Sequence, residues 1–77
     1  MVWFFERDGE SMKLESRYDD ENGEFVLITD SATGRSIERF KGVSAFRLRL
    51  EALEKQLATA NWLRRDGPLF LHDGWKL

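Results

Sequence analysis

The 77-residue chain has no cysteine, one proline, one histidine and no long apolar run. Without cysteine there are no disulfides and no thiolate metal sites, so the staples of small secreted domains are excluded. The lone histidine, His72, sits beside Asp73-Gly74 and reads as a turn residue rather than a general base. A nucleophile elbow and a phosphate-cradling glycine loop are also missing, so a non-enzymatic protein without cofactor or metal is expected. The apolar stretch at the N-terminus stops at Glu6, far short of a signal-peptide core or a membrane span. The expectation is a soluble, cytoplasmic protein with no membrane partner.

Charge of one sign is scarce in each half. Residues 1–34 hold three bases against nine acids, a balance of −6, and residues 35–77 hold nine bases against five acids, a balance of +4. Such a split lets the halves attract each other inside the fold or across a dimer. A nucleic-acid domain is more often basic throughout, whereas this chain carries −2 in total. A chain this short buries little surface, which leaves its ten aromatic residues, or a second copy, to supply stability.

Those aromatics begin at once, in VWFFER. Asp8-Gly9 is a two-residue loop suited to a type I′ hairpin between Val2–Arg7 and Glu10–Tyr18. That loop places Arg7 opposite Glu10, Phe5 opposite Met12 and Trp3 opposite Leu14. Two further glycine turns, DENG at 20–23 and SATG at 31–34, set off an apolar strand at 25–29 and a further strand at 35–40. After Gly42, Phe46, Leu50, Leu53 and Leu57 make one apolar stripe at helical spacing, with Ser44 placed to cap the helix. The expected fold is α+β, a single small domain. Residues 1–41 form a four-stranded antiparallel meander, 43–61 one long helix on one sheet face, and 66–77 a C-terminal tail or hairpin.

Neighbouring strand residues point to opposite faces. Trp3, Phe5, Met12, Leu14 and Tyr18 therefore share the face expected to receive the helix. If both glycine turns carry a bulge, Val2, Phe4, Phe25, Leu27 and Ile37 line the other face, with Lys13, Arg17 and Arg39 among them. An uncovered apolar patch of this kind marks a contact surface. Its candidate covers are the tail, through Leu69, Phe70, Leu71 and Trp75, or a second subunit. The first strand, as an open sheet edge, is a further point of self-association. The leading expectation is a protein–protein interaction module that forms a homodimer through the second face or the edge strand, with Trp75 a candidate anchor.

The competing expectation is single-stranded nucleic acid, stacked on rings among Lys and Arg. A four-strand meander followed by a helix resembles small single-strand binders in outline only. Asp19, Asp20, Glu21 and Glu24 are an acidic cluster without the spacing of a calcium loop and read as turn chemistry. Arg64-Arg65 is expected to complement the C-terminal end of the helix dipole, and Trp62 to pack that end onto the sheet.

Overall fold

The computed structural model describes residues 1–66. Its elements are β1 (Val2–Arg7), β2 (Glu10–Asp19), β3 (Glu24–Ser31), β4 (Gly34–Phe40), α1 (Val43–Thr59) and β5 (Leu63–Asp66). The five strands form one antiparallel sheet in the order β4-β3-β2-β1-β5, and α1 packs on one of its faces. The meander, the helix and the α+β class are those the sequence predicts. The fifth strand is not.

The first hairpin follows from its loop. Asp8 and Gly9 both take positive φ, 46° and 80°, as a type I′ turn requires. The register then runs from Arg7↔Glu10 through Phe5↔Met12 to Trp3↔Leu14. The N-terminus extends the pairing by one residue, its ammonium donating to the Ser16 carbonyl at 2.7 Å while the Ser16 amide donates to the Met1 carbonyl at 2.8 Å.

The expected bulges are absent. The β2–β3 register is unbroken from Met12↔Ser31 to Asp19↔Glu24, and β3–β4 is unbroken from Ser31↔Gly34 to Phe25↔Phe40. A four-residue loop and a two-residue loop each contain an even number of residues, so neither shifts which face a side chain takes. This corrects two placements. Leu27 is fully buried under the helix, and Phe25 packs against that same core, stacked on Phe46 at 5.1 Å. Val26 and Ile28 take their places on the opposite face. Ile37 stays on that face as predicted, because two equal shifts cancel by the fourth strand.

The core joins Trp3, Phe5, Met12, Leu14 and Leu27 from the sheet to Phe46, Leu50, Leu53 and Leu57 from the helix, with Phe40 and Trp62 at its margin. Tyr18 shares this face but lies beyond the helix and is exposed, meeting Phe25 edge-on at 5.0 Å. Arg49 on the helix ties to Glu38 on β4 at 2.9 Å.

Both helix ends differ from expectation. Gly42, in an extended conformation, is the N-cap and offers no side-chain hydrogen bond; Ser44 lies inside the first turn. At the C-terminus the Trp62 amide donates to the Leu57 carbonyl at 2.9 Å and the Asn61 amide to the Ala58 carbonyl at 3.1 Å. This is a Schellman motif with Asn61 as its left-handed residue, φ 64°. No basic residue occupies the last turn. The cation there is Arg7 of β1, which donates to the Ala60 carbonyl at 3.1 Å and stacks over the Trp62 ring at 4.5 Å. Arg64 and Arg65 belong instead to β5, where Arg65 pairs with Glu6 at 2.9 Å.

Because β5 pairs with β1, the first strand is interior and the expected open edge there does not exist. Among the described residues the edges are β4 and β5.

Replacing the buried Trp3 by Ala should lower stability by about 3–5 kcal/mol, whereas Phe4→Ala, on the opposite face of the same strand, should cost far less. Chemical denaturation of the two variants measures the difference. At the helix end, Asn61→Ala should destabilise by roughly 1 kcal/mol and Asn61→Gly should not, since only glycine takes the left-handed conformation without a Cβ penalty.

Candidate functional site

The sheet face opposite α1 collects the residues on which function was expected to turn. Its cross-strand rows follow from the registers. Phe4, Lys13, Asp30 and Arg35 form one row, Val2, Glu15, Ile28 and Ile37 the next, and Arg17, Val26 and Arg39 a third. Val2, Phe4, Lys13, Arg17, Ile37 and Arg39 are thus brought together as predicted. Phe25 and Leu27 are not among them. Trp75, His72 and the tail apolar residues lie outside the described residues.

The face is built in two levels. Val26 and Ile28, on the central run of the sheet, are almost completely buried although α1 lies on the other face. They sit between long side chains, Val26 between Arg17 and Arg39, and Ile28 between Glu15 and Ile37. The apolar stems of such residues cover what lies between them while their charged heads stay in water. At the flanks Phe4 is 45% exposed and Ile37 55% exposed. Phe4 also borders a shallow depression of about 410 Å³ shared with Ser11, Lys13, Asp30 and Arg65.

The charges on this face are already answered within the chain. Lys13 and Arg17 both reach Glu15, at 3.7 and 3.9 Å, and Arg35 reaches Asp30 at 3.3 Å. Arg39 bridges Asp19 at 3.1 Å and Glu24 at 3.5 Å. Four bases and five acids stand on the β1–β4 part of the face, so it carries no cationic excess. Exposed pairs like these add little stability one by one.

Two members of the acidic cluster at the second turn, Asp19 and Glu24, are likewise engaged. Asp19 accepts from the Glu21 amide at 3.0 Å, the Asn22 amide at 3.3 Å and the Asn22 side chain at 2.9 Å, an Asx-turn that shapes the loop. Gly23 completes it at φ 63°. Among the described residues no group of three potential metal ligands converges. No helix among them is long and apolar enough to cross a membrane.

Sequence reasoning missed Val26 and Ile28 as the floor of this face, and β5 as its border. The continuous apolar run of β3 carried no alternation to assign its faces. The signal for β5 was weak because its four residues include two adjacent arginines.

No family model matches this chain, and comparison with curated proteins and with solved structures finds no significant match.

The Asn22 side chain, and next the Arg39 guanidinium, hold the Asp19 carboxyl below its ordinary value. The folded state therefore binds this proton less readily than the unfolded chain does. The stabilisation is complete above the unfolded carboxylate range and is lost as pH falls through the lower folded value. A carbon-detected NMR titration should show Asp19 titrating below the unperturbed carboxylate range. Arg39→Gln should raise that midpoint and move acid unfolding to higher pH.

Proposed function

We propose that this chain is a small non-enzymatic interaction module that associates with a second copy of itself through the sheet face opposite α1. The observation that carries the reading is the pairing of every basic residue on the β1–β4 part of that face, beside the exposed Phe4 and Ile37. A surface with balanced, internally satisfied charge and apolar flanks suits a partner that is itself balanced. A second copy meets that condition. It also supplies buried area that a chain of this size lacks.

The same observation favours protein over single-stranded nucleic acid. Strand binders combine several rings with a groove of unanswered positive charge. Here Phe4 is the one ring on the face among the described residues, because Phe25 packs under the helix. A cytoplasmic setting fits a cysteine-free chain and is part of the same proposal.

Light scattering across a concentration series should show a monomer–dimer equilibrium. Phe4→Ala should weaken it by about tenfold or more, as truncation of an aromatic anchor does. Arg17→Ala, which removes one member of an exposed ion pair, should change it by no more than a few-fold. A chain that stays monomeric at every concentration and binds an oligonucleotide with salt-sensitive affinity would overturn the proposal.

A further inference from the structure

We infer that Asn22-Gly23 is a site of spontaneous covalent modification, a deamidation point that the Asp19 carboxylate guards while the chain is folded.

The reaction needs only these two residues and water. The Gly23 backbone nitrogen closes on the Asn22 side-chain carbonyl carbon to form a cyclic imide. As the new N–Cγ bond forms, the nitrogen gives up its proton and the Nδ2 group leaves as ammonia. Water then adds to one of the two imide carbonyls. Opening at one leaves Asp at position 22, and opening at the other leaves an isoaspartyl link that carries the backbone through the side chain. Glycine hinders this closure least of all following residues, because no Cβ stands beside its nitrogen. The chain has two asparagines, Asn22 and Asn61. Asn61 is followed by Trp62, whose bulk packs at the margin of the core. Asn22 is exposed on the second turn and is followed by Gly23 at φ 63°.

Closure requires the side-chain carbon to swing toward the C-terminal side of its own residue. The turn holds it the other way. The Asn22 side-chain amide donates to Asp19 Oδ2 at 2.9 Å, and its backbone amide donates to Asp19 Oδ1 at 3.3 Å. Both donors of one residue thus reach one carboxylate, which keeps the side chain beside its own backbone nitrogen and away from that of Gly23. The carboxylate is anchored in turn by the Glu21 amide at 3.0 Å and the Arg39 guanidinium at 3.1 Å. Among the described residues its backbone donors are the amides of Glu21 and Asn22, one residue short of Gly23, so it is not placed to take the Gly23 proton as a base. Closure therefore waits for the turn to open, and its rate is the rate in the unfolded chain scaled by the open fraction.

The product removes its own guard. A carboxylate at position 22 replaces the donor that Asp19 held, and two like charges at that separation repel. The isoaspartyl form also adds a backbone atom to a loop whose residue count sets the facing of β2 and β3.

The test is ageing of the full chain at neutral pH, folded and in denaturant, with peptide mass spectrometry reading the exchange of side-chain nitrogen for oxygen at each asparagine. Modification should collect at Asn22 and spare Asn61. The folded chain should convert about tenfold or more slowly than the denatured chain, since a hydrogen bond to a charged acceptor is worth about that factor. Asp19→Ala, with its fold checked by circular dichroism, should bring the folded chain most of the way to the denatured rate. Equal rates in the folded and denatured chain would overturn the inference, and that comparison needs no variant. A folded Asp19→Ala chain that converts no faster than the unsubstituted one would overturn it as well, and slower conversion would make the carboxylate a base instead of a guard.

Discussion

The number of residues in three short loops decides which face every strand side chain takes. The loops between β1 and β2, β2 and β3, and β3 and β4 hold two, four and two residues. All three are even, so each strand hands its facing to the next without a shift. The dependence is sharpest at β3, where Phe25, Val26, Leu27 and Ile28 are apolar in succession. Either parity of that strand would bury large side chains beneath α1. Composition is indifferent there, and the loop settles that Phe25 and Leu27 go under the helix while Val26 and Ile28 go to the other side.

That indifference explains what the sequence made legible. Asp8-Gly9 and the alternation Met12, Leu14 specify the first hairpin, and the stripe Phe46, Leu50, Leu53, Leu57 specifies the helix and its buried side; the structure has both. Strand β3 shows no alternation, so its faces could be assigned only through the loops, and a glycine closing each loop pointed to bulges that do not form. Of the candidate contact residues, Val2, Phe4, Lys13, Arg17, Ile37 and Arg39 do share a face. Ile37 was placed there by a sum of two shifts that is the same as no shift. β5 was illegible for a different reason. Leu63, Arg64, Arg65 and Asp66 show no apolar face to bury, and they join the sheet through backbone pairing to β1 together with the Arg65–Glu6 ion pair. Backbone pairing leaves no trace in side-chain pattern.

The helix end shows how far local rules reach. A cation at the C-terminus of α1 was expected from the residues that follow it, yet Arg7 arrives from β1. It joins the first hairpin, the helix cap and Trp62 through one guanidinium, with Glu10 holding its other side at 3.1 Å. A dipole needs a nearby charge and is blind to sequence distance. The same holds for Asn61, whose left-handed turn sends Trp62 back to the core and so delivers the chain to the open side of β1.

The opposed charges of the two halves find their use in the sheet. The acidic first half supplies β1, β2 and β3, and the basic second half supplies both outer strands. Asp30 with Arg35, Glu24 with Arg39, and Glu6 with Arg65 therefore pair across neighbouring strands, and Asp19 reaches Arg39 from two strands away. Positive charge at a sheet edge ordinarily discourages another strand from pairing. On β5 the arginines are adjacent and the register breaks beside them, so the edge is blunted. On β4 the arginines are separated by Ser36, Ile37 and Glu38, stand on one face, and are each drawn toward a carboxylate on the strand behind, Asp30 for Arg35 and Glu24 for Arg39. These ion pairs thus draw the guarding charges inward from the longer edge, and leave a regular backbone ladder with Ile37 at its middle.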